Sequence, residues 1–406
     1  MFPTNRFKDK RIVIGITGGI AAYKITELVR YLVKQGAEVR VMMTEAGERF
    51  IPRLTMETLS QNPVAVEMFP EKVYHKTHHI SLADWAEAIM IAPATYNFIG
   101  KLWAGIADDL LTTVCAAASC PVFIAPAMNV HMWENPILQR NIADLKKLGY
   151  LFCEPEEGFL AEGYSGKGRL ARLEYLVQHL YRAIHPHRDE LAGKKVVITA
   201  GRTEELIDPA RMLTNPSSGK MGYALAWEAC ARGADVTLIS GPASLTPPDE
   251  IKFVGIRTAA EMWQAVQTHF SGTDIYLSAA AIADYTPIKY SPDKRKKSPG
   301  DWQLSLKRTV DILKEVGKQR KPGQKIVGFA VETRNPREAA RKKLNEKNLD
   351  LVVLNNPREE GAGFQQDTNK VTLISRQSEK ELPLLPKLDV AFEIFEALKQ
   401  IGSENA

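Results

Sequence analysis

The stretch that decides the fold covers residues 11–24 and reads RIVIGITGGIAAYK. Its first part, residues 11–17, is a short apolar run of the length of a buried β-strand, and a helical pattern over residues 21–35 follows the two glycines. A strand joined to a helix by a glycine turn is the first half of a βαβ unit, in which helices cover a parallel sheet. This stretch therefore predicts an α/β fold.

The same alternation continues outward through both halves of the chain. Further apolar runs, separated by helical patterns, lie at residues 38–44, 88–93, 121–125, 194–199, 234–240, 274–278, 325–330 and 350–354. A polar stretch with His and Pro at residues 184–193 interrupts the rhythm. We therefore predict two Rossmann-like three-layer domains, residues 1–185 and 194–406, joined by a linker at residues 186–193.

Length and composition agree with this division and give no sign of a collagen-like, fibrous or wholly disordered protein. A chain of 406 residues exceeds what one core usually organises, and 45% hydrophobic with 25% charged residues is typical of soluble globular proteins. The net charge of +5 comes from basic residues dispersed among acidic ones, so we predict no nucleic-acid partner. No apolar stretch is long enough to span a bilayer, so we predict no membrane partner. Four cysteines without disulfide or zinc spacing, and no signal peptide, predict a cytoplasmic protein.

Three segments of the first domain carry candidate chemistry. The Gly18-Gly19 turn lets backbone N–H groups approach a phosphate, although it does not match G-x-G-x-x-G and a purely structural turn explains it equally well. The segments APATYN at 92–97 and PAMNVHMW at 126–133 each follow an apolar strand, where open α/β sheets bind ligands. Taken alone, Asn129 is explained as a helix cap.

The second domain contains a denser set of motifs. TAGRT at 199–203 is followed by IDPAR at 207–211 and TNPSSGKMG at 214–222. The last of these superficially resembles a P-loop, but the first glycine of that motif is missing, which argues against a nucleoside triphosphatase of that type. AAAIADY at 279–285 and the basic run at 294–297 follow downstream.

In this order, the motifs resemble the bifunctional enzymes of coenzyme A biosynthesis that join cysteine to 4'-phosphopantothenate and then decarboxylate the product to 4'-phosphopantetheine. The first half resembles flavin-dependent cysteine decarboxylases, and the second resembles phosphopantothenate–cysteine ligases. The resemblance implies a flavodoxin-like flavoprotein domain with FMN and a nucleotide-binding ligase domain. It also implies trimeric packing of the flavin domains and dimeric packing of the ligase domains. Because fused enzymes of this kind use CTP, we expect CTP with Mg²⁺ rather than ATP.

For the decarboxylase, the resemblance implies that Asn129 holds the substrate carboxylate and that His79 assists proton movement. The FMN-binding residues would be Gly18, Gly19, Thr44, Ala92, Pro93, Ala94 and Thr95. Loss of CO2 beside an amide nitrogen leaves a carbanion without an electron sink. Oxidation of the thiol side by FMN provides the adjacent C=S group that accepts the electrons.

One position of the first half departs from the resemblance. The loop at residues 158–170 aligns with a substrate loop whose proton-donating cysteine should stand at position 162, where this chain has Glu162. Cys153 is interpreted as structural. We expect Glu162 to act as the acid, with burial raising its pKa, while water or Tyr164 stays the alternative proton source.

For the ligase, the resemblance implies that Asn215 contacts the acyl-nucleotide intermediate. The nucleotide-contacting residues would be Ala279, Ala280, Asp284, Lys294, Val310, Asp311, Ile312, Leu313, Phe329, Lys343 and Lys347. The two last lysines are four residues apart on a predicted helix and so face one side. Arg202 stands where the family has a proline. The metal ligands are unknown.

Three other interpretations stay open at this point. A nicotinamide-dependent dehydrogenase would also have two α/β domains, but the glycine fingerprint and its acidic ribose partner are missing. A regulatory protein with a degenerate flavin fold is the non-enzyme alternative. The last is an active ligase fused to a flavoprotein with altered decarboxylase output, because of Glu162.

Overall fold

The computed structural model describes residues 3–69, 78–159, 163–296, 301–331, 335–355, 361, 363 and 365–403. The chain divides into two compact units between Pro186 and His187. Each unit is described by itself. Within the described residues, no helix is both long and apolar enough to cross a lipid bilayer.

The first unit has a parallel sheet under helices, as the alternating pattern predicted. Its strands are β1 Arg11–Ile16, β2 Glu38–Met43, β3 Ala88–Ala94, β4 Val122–Pro126, β5 Leu151–Phe152, β6 Glu156–Phe159 and β7 Ser165–Arg169. Its α-helices are α1 Ile25–Lys34, α2 Glu45–Glu48, α3 Arg53–Ser60, α4 His78–Trp85, α5 Tyr96–Ala104, α6 Leu110–Ala117, α7 Val130–Trp133, α8 Pro136–Lys147 and α9 Leu173–Ala183.

The order of strands in the main sheet is β2-β1-β3-β4-β5, and all neighbours are parallel. All of β3 and all but the first residue of β1 are buried, because helices cover both faces of the sheet. From β1 the chain crosses first to β2 on one side and then to β3 on the other. The carboxyl ends of β1 and β3 therefore form the topological switch point, where α/β sheets bind ligands.

The second unit contains a larger sheet. Its strands are β8 Lys195–Ala200, β9 Glu204–Asp208, β10 Arg211–Thr214, β11 Asp235–Ser240, β12 Lys252–Gly255, β13 Ile275–Ser278, β14 Tyr285–Pro287, β15 Leu306–Arg308, β16 Lys325–Val331, β17 Leu351–Asn355, β18 Thr368–Asn369, β19 Val371–Ile374, β20 Glu379–Glu381 and β21 Leu385–Pro386. Its α-helices are α10 Lys220–Ala231, α11 Ala259–Phe270, α12 Ile312–Lys318, α13 Pro336–Glu346 and α14 Lys387–Ser403.

The main sheet of this unit has the order β12-β11-β8-β13-β16-β17-β19-β20. The strands from β12 to β17 are parallel, and β19 and β20 add an antiparallel edge. The switch point lies between β8 and β13. Two antiparallel hairpins, β9–β10 and β14–β15, are separate from this sheet. The predicted α/β class of both halves is confirmed.

Candidate active sites

A cavity of about 1050 Å³ opens at the switch point of the first unit. Its lining includes Thr17, Gly18, Met43, Thr44, Glu45, Ala46, Thr95, Tyr96, Asn97, Lys101, Asp108, Asp109 and Met132. Of the predicted FMN residues, Gly18, Thr44 and Thr95 lie on its wall. Ala92 and Ala94 are buried instead. The structure thus brings three of the sequence-predicted segments to one edge of the sheet.

Thr17, which the motifs did not single out, joins the two turns of this cavity. Its hydroxyl donates to the carbonyl of Pro93 at 2.7 Å and accepts from the N–H of Thr95 at 3.0 Å. Only 1% of Thr17 is exposed, so these bonds are shielded from water. The sequence feature that could have indicated this role is the position of the threonine at the end of a predicted strand, directly before a glycine turn.

The two glycines of the first turn have different surroundings. A Cβ atom at Gly18 would lie 2.5 Å from the Cβ of Ala46, so packing within the protein itself excludes a side chain there. Among the described residues, a Cβ atom at Gly19 would meet only Pro93 and Thr95, both at 3.8 Å. Space beside residue 19 is therefore open, and it lies against the turn predicted to hold the flavin.

Asn129 has a fixed amide orientation. It caps α7, since its Oδ1 atom accepts from the N–H of His131 at 2.9 Å. Its Nδ2 atom donates to the hydroxyl of Tyr164 on the β6–β7 hairpin. With Oδ1 occupied by the cap, the N–H donors of the amide are the groups presented outward, and these suit a carboxylate.

His79 lies on α4 rather than in a loop. Its Nδ1 atom is buried and has no hydrogen-bond partner among the described residues. A buried imidazole nitrogen without a hydrogen-bond partner is uncommon in folded proteins. His79 is not part of the lining of the 1050 Å³ cavity. Glu162 lies outside the described residues, so its prediction stays untested.

In the second unit, a cavity of about 400 Å³ lies at the carboxyl ends of β13 and β16. The predicted residues on its wall are Ala280, Asp284, Val310, Asp311, Ile312, Leu313, Phe329, Lys343 and Lys347. Ala279 and Lys294 are absent from that wall. Residues that are distant in sequence, such as Ala280 and Lys347 at 67 positions apart, thus line the same cavity.

Asp311 is a charged residue of the cavity wall that contacts both a helix N-terminus and a lysine. Its carboxylate caps α12 through the N–H of Lys314 at 3.1 Å and pairs with Lys347 at 2.7 Å. Burial alone would raise the pKa of Asp311, but the hydrogen bonds from Lys347 and Lys314 and the nearby ammonium charges lower it. Lys343 donates to the carbonyl of Phe329 at 2.6 Å. Both ammonium groups are therefore held at the cavity wall.

Another cavity of this unit, of about 490 Å³, is lined by Arg202, Ser217, Ser218, Lys220, Ser244 and Gln365, among others. Arg202 donates to the carbonyl of Ser217 at 3.2 Å, and its Nε atom is buried without a partner among the described residues. Asn215 lies between β10 and α10 and is on the wall of neither cavity.

Lys294 is exposed, but the residue after it is anchored. The N–H of Arg295 donates to Asp208 at 3.4 Å, and its guanidinium lies 4.6 Å from the ring centre of Trp302. Asp208 is completely buried and also accepts from Ala210 and Arg211. The sequence motifs gave no sign of either anchor, because no local pattern connects positions 208, 295 and 302.

Comparison with known proteins gives the chain its family. Residues 3–185 match the flavoprotein family model, and residues 191–401 match the model of the DNA/pantothenate metabolism flavoprotein C-terminal domain. The chain is 48% identical over 400 residues to the coenzyme A biosynthesis bifunctional protein CoaBC of Bacillus subtilis (strain 168), covering 98% of each chain. It belongs to the CoaBC family of bifunctional coenzyme A biosynthesis proteins.

A second relative agrees with membership of the CoaBC family. The protein of that name from Borreliella burgdorferi is 41% identical over 393 residues, which are 96% of this chain and 99% of its own. A crystal structure of the C-terminal domain of a CoaBC protein is 40% identical and covers 53% of this chain and 99% of its own, with a TM-score of 0.46.

Family membership decides between the four interpretations of the sequence. The predicted pair of activities, a carboxy-lyase and an acid–amino-acid ligase of coenzyme A biosynthesis, is confirmed. Because the chain belongs to a family of coenzyme A biosynthesis enzymes, the nicotinamide-dependent dehydrogenase and the regulatory protein are excluded. The alternative of an altered decarboxylase output finds no support in the comparisons.

Proposed function

We propose that the ligase unit activates 4'-phosphopantothenate with CTP and Mg²⁺ as an acyl-cytidylate and transfers the acyl group to L-cysteine. The flavoprotein unit, with FMN, then converts 4'-phosphopantothenoylcysteine to 4'-phosphopantetheine. The observation that supports the nucleotide part is the cavity of about 400 Å³, whose wall contains nine residues of the predicted set, two of them lysines. We assign residues 1–185 to the lyase, 186–193 to the linker and 194–406 to the ligase.

The chemistry of the ligase explains the lysines. A carboxylate is a poor acyl donor because oxide would have to leave, whereas an acyl-nucleotide has a stabilised leaving group. Lys343 and Lys347 would bind the negative phosphates at the cavity wall, and Mg²⁺ would neutralise the remaining charge. Exposed Lys294 would reach the same phosphates from its anchored loop, and Asn215 would hold the acyl group while the cysteine amine attacks.

In the lyase unit, the residues fit a flavin. The open space beside Gly19 and the cavity of about 1050 Å³ leave room for it between the turns that Thr17 joins. FMN, when bound, supplies the oxidation of the thiol side that makes CO2 loss feasible. Asn129 would orient the carboxylate of the substrate through Nδ2. His79 would exchange a proton through its unpartnered Nδ1 atom.

Several further assignments belong to this proposal. We propose a cytoplasmic location, in which the four cysteines stay reduced; within the described residues none of the four forms a disulfide. We also propose homo-oligomers with trimeric flavin units and dimeric ligase units. Neither nucleic acid nor a membrane is a partner in this proposal.

The function is tested by incubating the purified protein with 4'-phosphopantothenate, L-cysteine, CTP and Mg²⁺. We expect 4'-phosphopantetheine, CO2 and pyrophosphate by mass analysis, and one FMN per chain after release of the cofactor. Omission of Mg²⁺ by chelation should stop amide formation but not decarboxylation of supplied 4'-phosphopantothenoylcysteine. Equal turnover with ATP would contradict the choice of CTP, and a protein without flavin after reconstitution would contradict the lyase assignment.

Glu162 gives a second test. Its ordinary pKa is about 4.3, so it must be protonated by its surroundings if it is to act as an acid at neutral pH. We expect Glu162→Gln to release CO2 at the wild-type rate but to yield mainly the oxidised enethiol product. Mass analysis distinguishes this product from 4'-phosphopantetheine by two hydrogen atoms.

The matched control is Glu162→Cys, which introduces the residue of the family pattern and should yield 4'-phosphopantetheine. Full 4'-phosphopantetheine formation by Glu162→Gln would remove the acid role from this residue. The same measurement would then favour water as the proton source.

A further inference from the structure

The β6–β7 hairpin lies directly on the segment that carries Asn129. The N–H of Met128 donates to the carbonyl of Gly168 at 2.9 Å. A Cβ atom at Gly168 would lie only 2.2 Å from the oxygen of Met128, and one at Gly166 only 2.9 Å from the Cβ of Val130. The two glycines therefore allow a backbone approach that larger residues would prevent, and this approach fixes Tyr164 beside Asn129.

The hydrogen bonds of Asn129 determine what Tyr164 can do. Because Oδ1 of Asn129 accepts from His131, its Nδ2 group is the donor toward Tyr164, and the phenol oxygen is the acceptor. A phenol that accepts a hydrogen bond still has its own O–H to donate. About 38% of Tyr164 is exposed, so that proton is accessible to a bound molecule.

Two neutral donors, the amide of Asn129 and the hydroxyl of Tyr164, thus lie side by side. A carboxylate has two oxygens, each able to accept. Donors without formal charge orient it but stabilise the negative ground state less than an ammonium would, so they oppose CO2 loss less. The nearby cation Lys167 is itself occupied, since it pairs with Glu154 at 3.2 Å and lies over the ring of Trp133.

We propose that Tyr164 is a substrate-binding residue of the decarboxylase that, together with Asn129, binds the carboxylate which leaves as CO2. The inference rests on the proposed function of the first unit. In this proposal Tyr164 binds the carboxylate that leaves as CO2, and it does not donate a proton to the product.

The test is Tyr164→Phe in the full-length, FMN-loaded protein. We expect the KM for 4'-phosphopantothenoylcysteine to rise on the order of 10-fold to 100-fold, as for loss of a hydrogen bond to a charged group. Inhibition by 4'-phosphopantetheine, which has no carboxylate, should stay unchanged, and so should the FMN content. A residue with a merely structural role would weaken both ligands alike.

Tyr175→Phe is the matched control, because this tyrosine lies on α9, where its ring contacts Arg172, and a phenylalanine keeps that contact. It should leave all three measurements unchanged. Equal weakening of substrate and 4'-phosphopantetheine by Tyr164→Phe would overturn the proposal, as would an unchanged KM with accumulation of the oxidised enethiol. If the wild-type protein released no CO2 from 4'-phosphopantothenoylcysteine, the proposed function itself would fail, which is a distinguishable result.

Discussion

Replacing Gly19 with valine is expected to give a folded protein that has lost its flavin. The backbone at Gly19 is extended, with φ −145° and ψ 149°, which valine adopts readily. Its Cβ atom would fit beside Pro93 and Thr95, but the two methyl groups would fill the open space that we assign to the flavin. We expect FMN affinity to fall at least about 100-fold, equivalent to about 2.7 kcal/mol, and decarboxylation to be lost with it.

The measurement is the flavin absorbance and FMN content of the purified variant, with thermal unfolding to show that the fold persists. Gly100→Ala on α5 is the control, because a Cβ atom there would have no neighbour within 4 Å in the described part of the chain and alanine favours a helix. Gly18→Val is unsuitable, since its collision with Ala46 would disturb the fold directly. Full FMN content in the Gly19→Val protein would contradict the assignment of the space beside Gly19 to the flavin.

Replacing Lys343 and Lys347 together with alanine is expected to abolish ligation while leaving the lyase active. Each ammonium would make a charge-assisted hydrogen bond to phosphate worth about 1.5–3 kcal/mol. Loss of both should lower kcat/KM for CTP on the order of 1000-fold. Pyrophosphate release measures the ligase, and CO2 release from supplied 4'-phosphopantothenoylcysteine measures the lyase on the same protein.

Lys342→Ala is the control on the same helix. Its side chain is 71% exposed and its contact is an ion pair with Glu346 at 3.8 Å, so little change in either activity is expected. Because Lys343 also holds the carbonyl of Phe329, the single variant Lys347→Gln is needed beside the double one. A kcat/KM for CTP within threefold of the wild-type value in both variants would contradict the placement of the triphosphate in this cavity.

Local sequence was sufficient to predict the fold class and much of the candidate sites. Strand and helix periodicity, and glycines at turns, depend on neighbouring residues, so the segments around Gly19 and Asn129 could be recognised one by one. Parallel sheets also bring the carboxyl ends of their strands to one edge, which made a shared site predictable. The helical spacing of Lys343 and Lys347 correctly indicated that both face one cavity.

The pairing of distant residues was decided by the tertiary structure alone. The contact of Thr17 with Pro93 exists because β1 and β3 are neighbours in the sheet, which no pattern within either strand specifies. Asp208 meets Arg295 across 87 positions, and Tyr164 meets Asn129 across 35, because hairpins fold back onto loops. Hydrogen bonds act over about 3 Å, whereas sequence periodicity describes only the local direction of side chains. The sequence by itself therefore determined which segments are candidates for the chemistry, and chain topology determined which atoms within them touch.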